Sequence, residues 1–244
     1  MIRIAEEKDF LRPIKDIATL RILSLHEAYG DVPFVRYYAD DEGSLLCLMD
    51  GVCFFSPAVT LTEEWQLFLN MNPDIRHIGC SGVVGEAIAA CGGWCLAKKA
   101  PVMQYQRTSR PAGAPSLCRT PSLPGVYALL QQCFTEISPF EAWYPDVSHR
   151  VRHGCCMLSC AQDNDRIVST AMTVAQADGH ALLGQVATHP DYRCRGLAAA
   201  CLNDLISRWQ GDHLYIVPAT EAAEKLYKKL GFCPGDTWAE LIRI

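Results

Sequence analysis

Residues 185–198 read Gln185-Val-Ala-Thr-His-Pro-Asp-Tyr-Arg-Cys-Arg-Gly-Leu-Ala198. An apolar strand runs into a proline-bearing turn, and a glycine-containing loop then opens a helix. Leu197, Cys201, Leu202, Leu205, Ile206 and Trp209 continue at helical spacing. The first amides of a helix have no partner inside it, and with the positive end of the helix dipole they make an anion site. Gly196 lets a phosphate come close to the backbone, and Arg193 and Arg195 add positive charge. The arrangement suits a pyrophosphate. Taken alone, the loop is equally a plain strand–turn–helix.

The flanks extend the pattern. Upstream, residues 166–175 alternate Val168, Thr170, Met172 and Val174 with Ser169, Ala171 and Thr173, which is the period of a half-buried strand. Asp178-Gly179 is a favoured hairpin turn, and 181–188 is the returning strand. Downstream, His213–Val217 is a strand and 220–230 a helix that Gly231 stops with a left-handed cap. Residues 237–244 form a last strand. Before the loop, Val126–Phe134 and Pro139–Tyr144 begin helices, and Cys156–Ala161 is a strand.

Arg193-x-x-Gly196-x-Ala198 resembles the Arg/Gln-x-x-Gly-x-Gly/Ala signature of the GCN5-related N-acetyltransferases, the GNAT family. Val186-Ala187-Thr188-His189-Pro190-Asp191-Tyr192 is similar to that family's fourth strand and turn. Glu224-Lys-Leu-Tyr-Lys-Lys-Leu-Gly-Phe232 is similar to its final helix and exit. The resemblance covers residues 124–244. It implies an α/β fold whose mixed sheet splays between its fourth and fifth strands, with acetyl-CoA in the gap. Backbone groups of Val186 and Thr188 would hold the pantetheine arm, and the amides of Cys194, Arg195, Gly196, Leu197 and Ala198 the pyrophosphate, beside the charge of Arg193. An amide near Ala187 would polarise the thioester carbonyl, as an oxyanion hole does. An acceptor amine would attack directly, and Tyr227 would protonate the departing thiolate. On periodicity alone, with Ala223, Leu226 and Leu230 on the same face, Tyr227 reads as a core aromatic.

Two positions depart from the family. Many relatives carry asparagine where Thr220 stands, although a threonine hydroxyl still caps a helix and leaves Thr220 among the cofactor-binding residues. Many carry glutamate where this chain has Gln185, which cannot act as a base. Glu136, Glu141 and His149 are the alternatives, unless the amine arrives deprotonated. The function implied is an acetyl-CoA-dependent N-acetyltransferase acting on a primary amine of a small molecule or peptide. The competing reading is a catalytically silent acyl-CoA-binding or regulatory module.

The 244 residues are 50% hydrophobic and 20% charged, enough for a large core without staples. A net charge of −5 lacks the basic stripe of a nucleic-acid binder. No apolar run reaches membrane-span length and the N-terminus carries charges where a signal peptide needs an apolar stretch, so a cytoplasmic protein without membrane partners is expected. A homodimer is open to it. The 13 cysteines are odd in number and lack zinc-ligand spacing, which predicts reduced thiols acting as small core hydrophobes in a reducing compartment, and no metal.

Four of the 14 prolines fall in residues 107–124. Proline blocks ladders and helices, so 107–123 is read as a linker between 1–106 and the GNAT half at 124–244. The first half predicts a helix over 10–29, strands at 33–38, 44–49 and 52–55 with a turn at Asp50-Gly51, a helix at 61–70, a strand at 75–79, a helix at 83–91 and a strand at 101–106. It has no Arg-x-x-Gly-x-Ala loop and reads as a degenerate α/β half, possessing a core but binding no CoA. Gly79-Cys-Ser-Gly-Val-Val-Gly85 lacks the order of a dinucleotide fingerprint or a P-loop and reads first as a simple turn. His180 and His189 read as turn residues, and Trp65, Trp94 and Trp143 as core or cleft-wall aromatics.

Overall fold

Asp16 shows how local chemistry sets the first element boundaries. Its carboxylate accepts from the Thr19 amide and hydroxyl at 2.6 and 2.7 Å, an N-cap that starts a helix at Ile17. The segment expected as one helix is therefore two, α1 (Glu7–Phe10) and α2 (Ile17–Tyr29), with Pro13 between them. The structure, a computed structural model, describes residues 1–30, 32–106 and 117–244.

Two compact units make up the chain. The first holds residues 1–103, 217–219 and 234–244, and the second holds 104–216 and 220–233. In the first, β1 (Arg3–Ile4) precedes α1 and α2. Then follow β2 (Val35–Ala39), β3 (Leu45–Met49), β4 (Val52–Ser56), α3 (Glu63–Met71), β5 (His77–Ser81), α4 (Gly82–Ala90) and β6 (Trp94–Tyr105). β6 starts well before residue 101, because Gly92 and Gly93, both at positive φ, turn the chain straight out of α4. In the second lie α5 (Leu123–Cys133), α6 (Phe140–Arg152), β7 (Leu158–Asp163), β8 (Arg166–Ala177), β9 (His180–Thr188), α7 (Leu197–Arg208), β10 (His213–Ile216) and α8 (Glu221–Leu230). β11 (Phe232–Arg243) begins in the second unit and runs into the first.

The order helix–helix–three strands–helix–strand–helix–strand thus occurs twice, though no sequence repeat accompanies it. In the second unit the strands run β10-β9-β8-β7, with β7, β8 and β9 antiparallel and β10 parallel to β9. In the first the order is β1-β2-β3-β4-β5-β11-β6, and β4 and β5 are likewise parallel. The turns at Asp50-Gly51 and Asp178-Gly179 have positive φ at both residues, the twist that two-residue hairpins prefer.

Each unit has its own core. Leu46, Leu48, Phe55, Trp65 and Ile78 pack together in the first, and Val126, Leu130, Val147, Leu158 and Met172 in the second. Trp65 and Trp94 are core residues with indole N–H groups bonded to Asp40 and Asn70, each at 2.7 Å. The glycines of Gly79–Gly85 form no separate turn, since α4 starts at Gly82 directly after β5. They are seats for β11: a β carbon at Gly79 would collide with the Trp238 ring, at Gly82 with Thr237, and at Gly85 with Ala239. Trp238 pairs with Ser81 in the antiparallel β5–β11 ladder.

The described end of the proline-rich stretch is held in the second unit. Cys118 exchanges backbone hydrogen bonds with Cys160 at 2.8 and 2.9 Å, and Arg119 bonds the buried Asp204. Residues 107–116 of the expected linker lie outside the described residues. All 13 cysteines are free: Cys47, Cys53, Cys80, Cys156, Cys160 and Cys201 are buried and Cys118 and Cys133 pack partly buried against the second core, whereas Cys91, Cys95, Cys194 and Cys233 are exposed and serve no core.

Candidate functional site

The candidate site starts where two strands part. β10 pairs with β9 from His213↔His180 to Ile216↔Leu183 and ends there. From Gly184 to Thr188, β9 continues without β10 beside it. At the same point β9 bulges toward its other neighbour. Thr170 pairs with Ala187 and Met172 with Gly184, so Gln185 and Val186 together oppose Ala171. Gln185 takes φ +46°, uncommon for a non-glycine residue. The bulge leaves Val186 out of the β8 register. The carbonyls of Ala187 and Thr188 have side-chain partners, Ser169 Oγ at 3.0 Å and Arg193 Nε at 3.2 Å.

Beyond β9 the chain makes a single 3-10 turn, Pro190–Tyr192. His189 caps this turn: its Nδ1 accepts from the Asp191 amide at 3.3 Å, and its ring meets Tyr192 edge-on. It is a turn residue, as read. Cys194 at φ +61° and Gly196 at φ +77° follow, and Gly196 is the N-cap of α7. No side chain caps this helix, so the amides opening α7 keep their donors unpaired by intrahelical bonds. A β carbon on Gly196 would find no atom within 4 Å. The space in front of the loop is open. Arg193 and Arg195 fold back along the loop, the first onto the Thr188 carbonyl and the second onto the Asp191 carbonyl at 2.9 Å, over the Tyr192 ring. Their charge stays beside the open amides.

The residues expected to act together are therefore contiguous for the phosphate end: Val186, Ala187 and Thr188 on β9, then Arg193 to Ala198 at the opening of α7. Thr220 and Tyr227 stand apart on α8. Thr220 is its N-cap, accepting from the Ala223 amide at 3.2 Å. Among the described residues no hydrogen bond joins either to β9 or to the loop. Tyr227 is 5% exposed, beside Phe232, and burial pushes its phenol up to about 12. Its hydroxyl has no hydrogen-bond partner among the described residues.

Glu136 and Glu141 are exposed, and the ring of His149 on α6 lies tilted against His153 at 4.1 Å. His180 starts β9, bonded to the Tyr215 hydroxyl and with its ring tilted against His213 at 4.2 Å; burial and then His213 lower its pKa. Periodicity missed two features. Trp143 donates to Gln185 Oε1 at 3.1 Å, across 42 positions of sequence. Asp204, fully buried, is held by Arg119 and Arg208. No local signal points to either, because both depend on side chains brought together by folding. No cluster of metal-ligating side chains occurs among the described residues, and none of their helices is long and apolar enough to cross a membrane.

The sequence profile of the Acetyltransferase (GNAT) family matches residues 123–232, which contain the strand gap, the bulge and the open loop. Residues 123–232 are a GNAT acetyltransferase domain. GNAT acetyltransferases use acetyl-CoA as co-substrate. No curated protein sequence matches the chain. Solved structures agree in fold across most of it. A GCN5-related N-acetyltransferase from Kribbella flavida is 15% identical, with 93% of this chain and 94% of that one covered at a TM-score of 0.64. A GNAT-family acetyltransferase from Colwellia psychrerythraea is 12% identical, with all of both chains covered at 0.58. A tandem GNAT protein from the clavulanic acid biosynthesis pathway is 12% identical, with 91% and 86% covered at 0.56. The mixed α/β fold is thus that of GNAT acetyltransferases in the first unit as well as in the GNAT domain.

Proposed function

We propose that the GNAT domain transfers an acetyl group from acetyl-CoA to a primary amine by direct attack. The observation that carries the reading is the coincidence of the β9–β10 gap with the uncapped, left-handed opening of α7. A strand edge and a set of anion-binding amides lie a few residues apart, as a molecule with a polar arm and a pyrophosphate requires. Val186, free of β8, offers its backbone to the arm with Thr188. The amides from Cys194 to Ala198 take the phosphates, beside Arg193 and Arg195, and the open space at Gly196 admits them. Acetyl-CoA supplies the thioester carbonyl and the leaving thiolate.

In the balanced reaction a nitrogen–carbon bond forms and the carbon–sulfur bond breaks. One proton leaves the amine nitrogen and one reaches sulfur, giving an amide and free CoA thiol. The amide of Ala187 polarises the carbonyl, and Tyr227 gives its proton to sulfur. A phenol held at about 12 stays protonated across the neutral range, so it is always loaded as an acid. Holding the two reactants together supplies much of the acceleration.

The first unit is the degenerate partner half. Where α7 opens on free amides, α3 is capped by Thr62, whose hydroxyl accepts from the Trp65 amide at 3.4 Å. The connection before it carries the carbonyls of Pro57 and Ala58, both bonded by Lys15 Nζ. No residue from 57 to 62 has positive φ. These features support a first half that binds no CoA.

The second reading, a silent CoA-binding module, draws on Gln185, which is not a base, and on the Tyr227 hydroxyl, which has no hydrogen-bond partner among the described residues. Incubation with acetyl-CoA and a panel of amines, following free thiol, separates the two. Thiol release above the amine-free rate supports the transferase. Tight CoA binding with no release from any amine supports the module.

A further inference from the structure

Gln185 stands at the bulge of β9, two residues past the last β9–β10 pair, and its side chain has a fixed orientation. Trp143, on α6, is 4% exposed and packed against Tyr127 at 5.3 Å, and the Tyr127 hydroxyl is tied to the Ser138 carbonyl at 2.9 Å. An indole nitrogen only donates. The atom of Gln185 that meets it, at 3.1 Å, must therefore be the amide oxygen. The NH2 is turned the other way. Among the described residues it has no partner, although Gln185 is half-buried.

A glutamine so held cannot take a proton from an ammonium group. It offers two N–H donors where β9 begins to run free of β10. A donor directed at the attacking nitrogen would compete for the lone pair that must reach the carbonyl. Its productive partner is an oxygen elsewhere on the acceptor. We propose that Gln185 reads the acceptor, its NH2 donating to a carbonyl or carboxylate oxygen on the carbon next to the amine, so that amino acids or their amides are taken in preference to plain alkylamines. This rests on the acetyl-transfer reading above.

The test uses the full chain with saturating acetyl-CoA and three acceptors of similar size: glycine, glycinamide and propylamine. Thiol release gives kcat/KM per unprotonated amine. The better oxygen-bearing acceptor is expected to exceed propylamine by about 10- to 100-fold, the range of one hydrogen bond, larger if the oxygen is charged. Preference for glycine identifies a carboxylate and preference for glycinamide a carbonyl. Gln185→Glu keeps an oxygen for Trp143 and removes both donors; Gln185→Met keeps the length and removes all polar atoms. In each the ratio is expected to fall to about one, mainly through KM for the acceptor, with CoA affinity unchanged. A purely structural Gln185 would leave the ratio alone. A wild-type ratio near one, or a ratio kept in both variants, overturns the donor role and leaves acetyl transfer standing. No thiol release from any amine overturns both.

Discussion

Replacing Tyr227 by phenylalanine separates a general acid from a core aromatic, because the two roles move stability and rate in different directions. Tyr227 is a buried residue, and its hydroxyl has no hydrogen-bond partner among the described residues. An unpaired hydroxyl costs about 1–3 kcal/mol to bury. Tyr227 keeps 5% exposure, so the lower end applies, about 1 kcal/mol. For a chain of this length that is a rise in Tm of about 2–4 °C in the variant. The rate should fall. Acid catalysis contributes about 10²–10⁴-fold and is most effective when the pKa lies near the working pH. At about 12 the phenol lies well above an ordinary thiol, so proton transfer to the departing sulfur is uphill. That places the loss at the low end, about 10²-fold in kcat. CoA affinity should not change. The assay is thiol release at saturating acetyl-CoA, with calorimetric Tm and CoA titration on the same preparation. A variant within about threefold of wild-type kcat would refute the acid role and return Tyr227 to the core beside Phe232.

Three further outcomes are expected. Gly196→Glu puts a carboxylate into the open space before the α7 amides and should weaken CoA binding at least tenfold, whereas Gly196→Ala, which adds only the strain of a left-handed alanine, about 1–2 kcal/mol, should weaken it less; equal affinity of Gly196→Glu and wild type by titration would exclude a phosphate there. Asp204→Ala leaves Arg119 and Arg208 without their buried carboxylate, and because Arg119 is 48% exposed and can rehydrate, the loss should lie near the low end of about 3–5 kcal/mol in urea unfolding; a loss under about 1 kcal/mol would show that the cluster contributes little. Burial holds the Cys80 and Cys160 thiols at about 12 and Cys156 and Cys201 at about 11, against 9.0 for a free thiol. A raised folded pKa gives stability that is whole below pH 9.0 and lost as the pH climbs through the folded values, so urea midpoints at pH 8, 9.5 and 10.5 should fall progressively, and a flat series would contradict it.

Much of the second unit was legible because its signals are local. A two-residue turn needs positive φ at both central positions, so Asp178-Gly179 declares itself, as Asp50-Gly51 does in the first unit. A helix end needs a left-handed cap, so Gly231 does too. The Arg193–Ala198 loop was readable for the same reason: a helix opening with glycine and no capping side chain leaves its amides free wherever it sits. Where local signals competed, the reading failed. Apolar spacing joined residues 10–29 into one helix, but Pro13 and the Asp16 cap divide it. Alternation of exposed Cys95, Ala97 and Lys99 with half-buried Leu96 and Lys98 concealed the first half of β6.

Tertiary structure alone decided the rest, since it depends on groups far apart in sequence. Gly79, Gly82 and Gly85 look like turn residues until β11, some 150 residues later, is laid against them and a β carbon is seen to have no room. Gln185 reads as the lack of a base until Trp143 fixes its amide and turns two donors outward. Tyr227 sits on an apolar helical face in either reading, and only packing established that the residue is buried, which raises its pKa. Spacing along a chain determines which residues share a face. Which group meets that face is set by long-range pairing, where one glycine too large or one indole elsewhere would change the chemistry without changing the pattern.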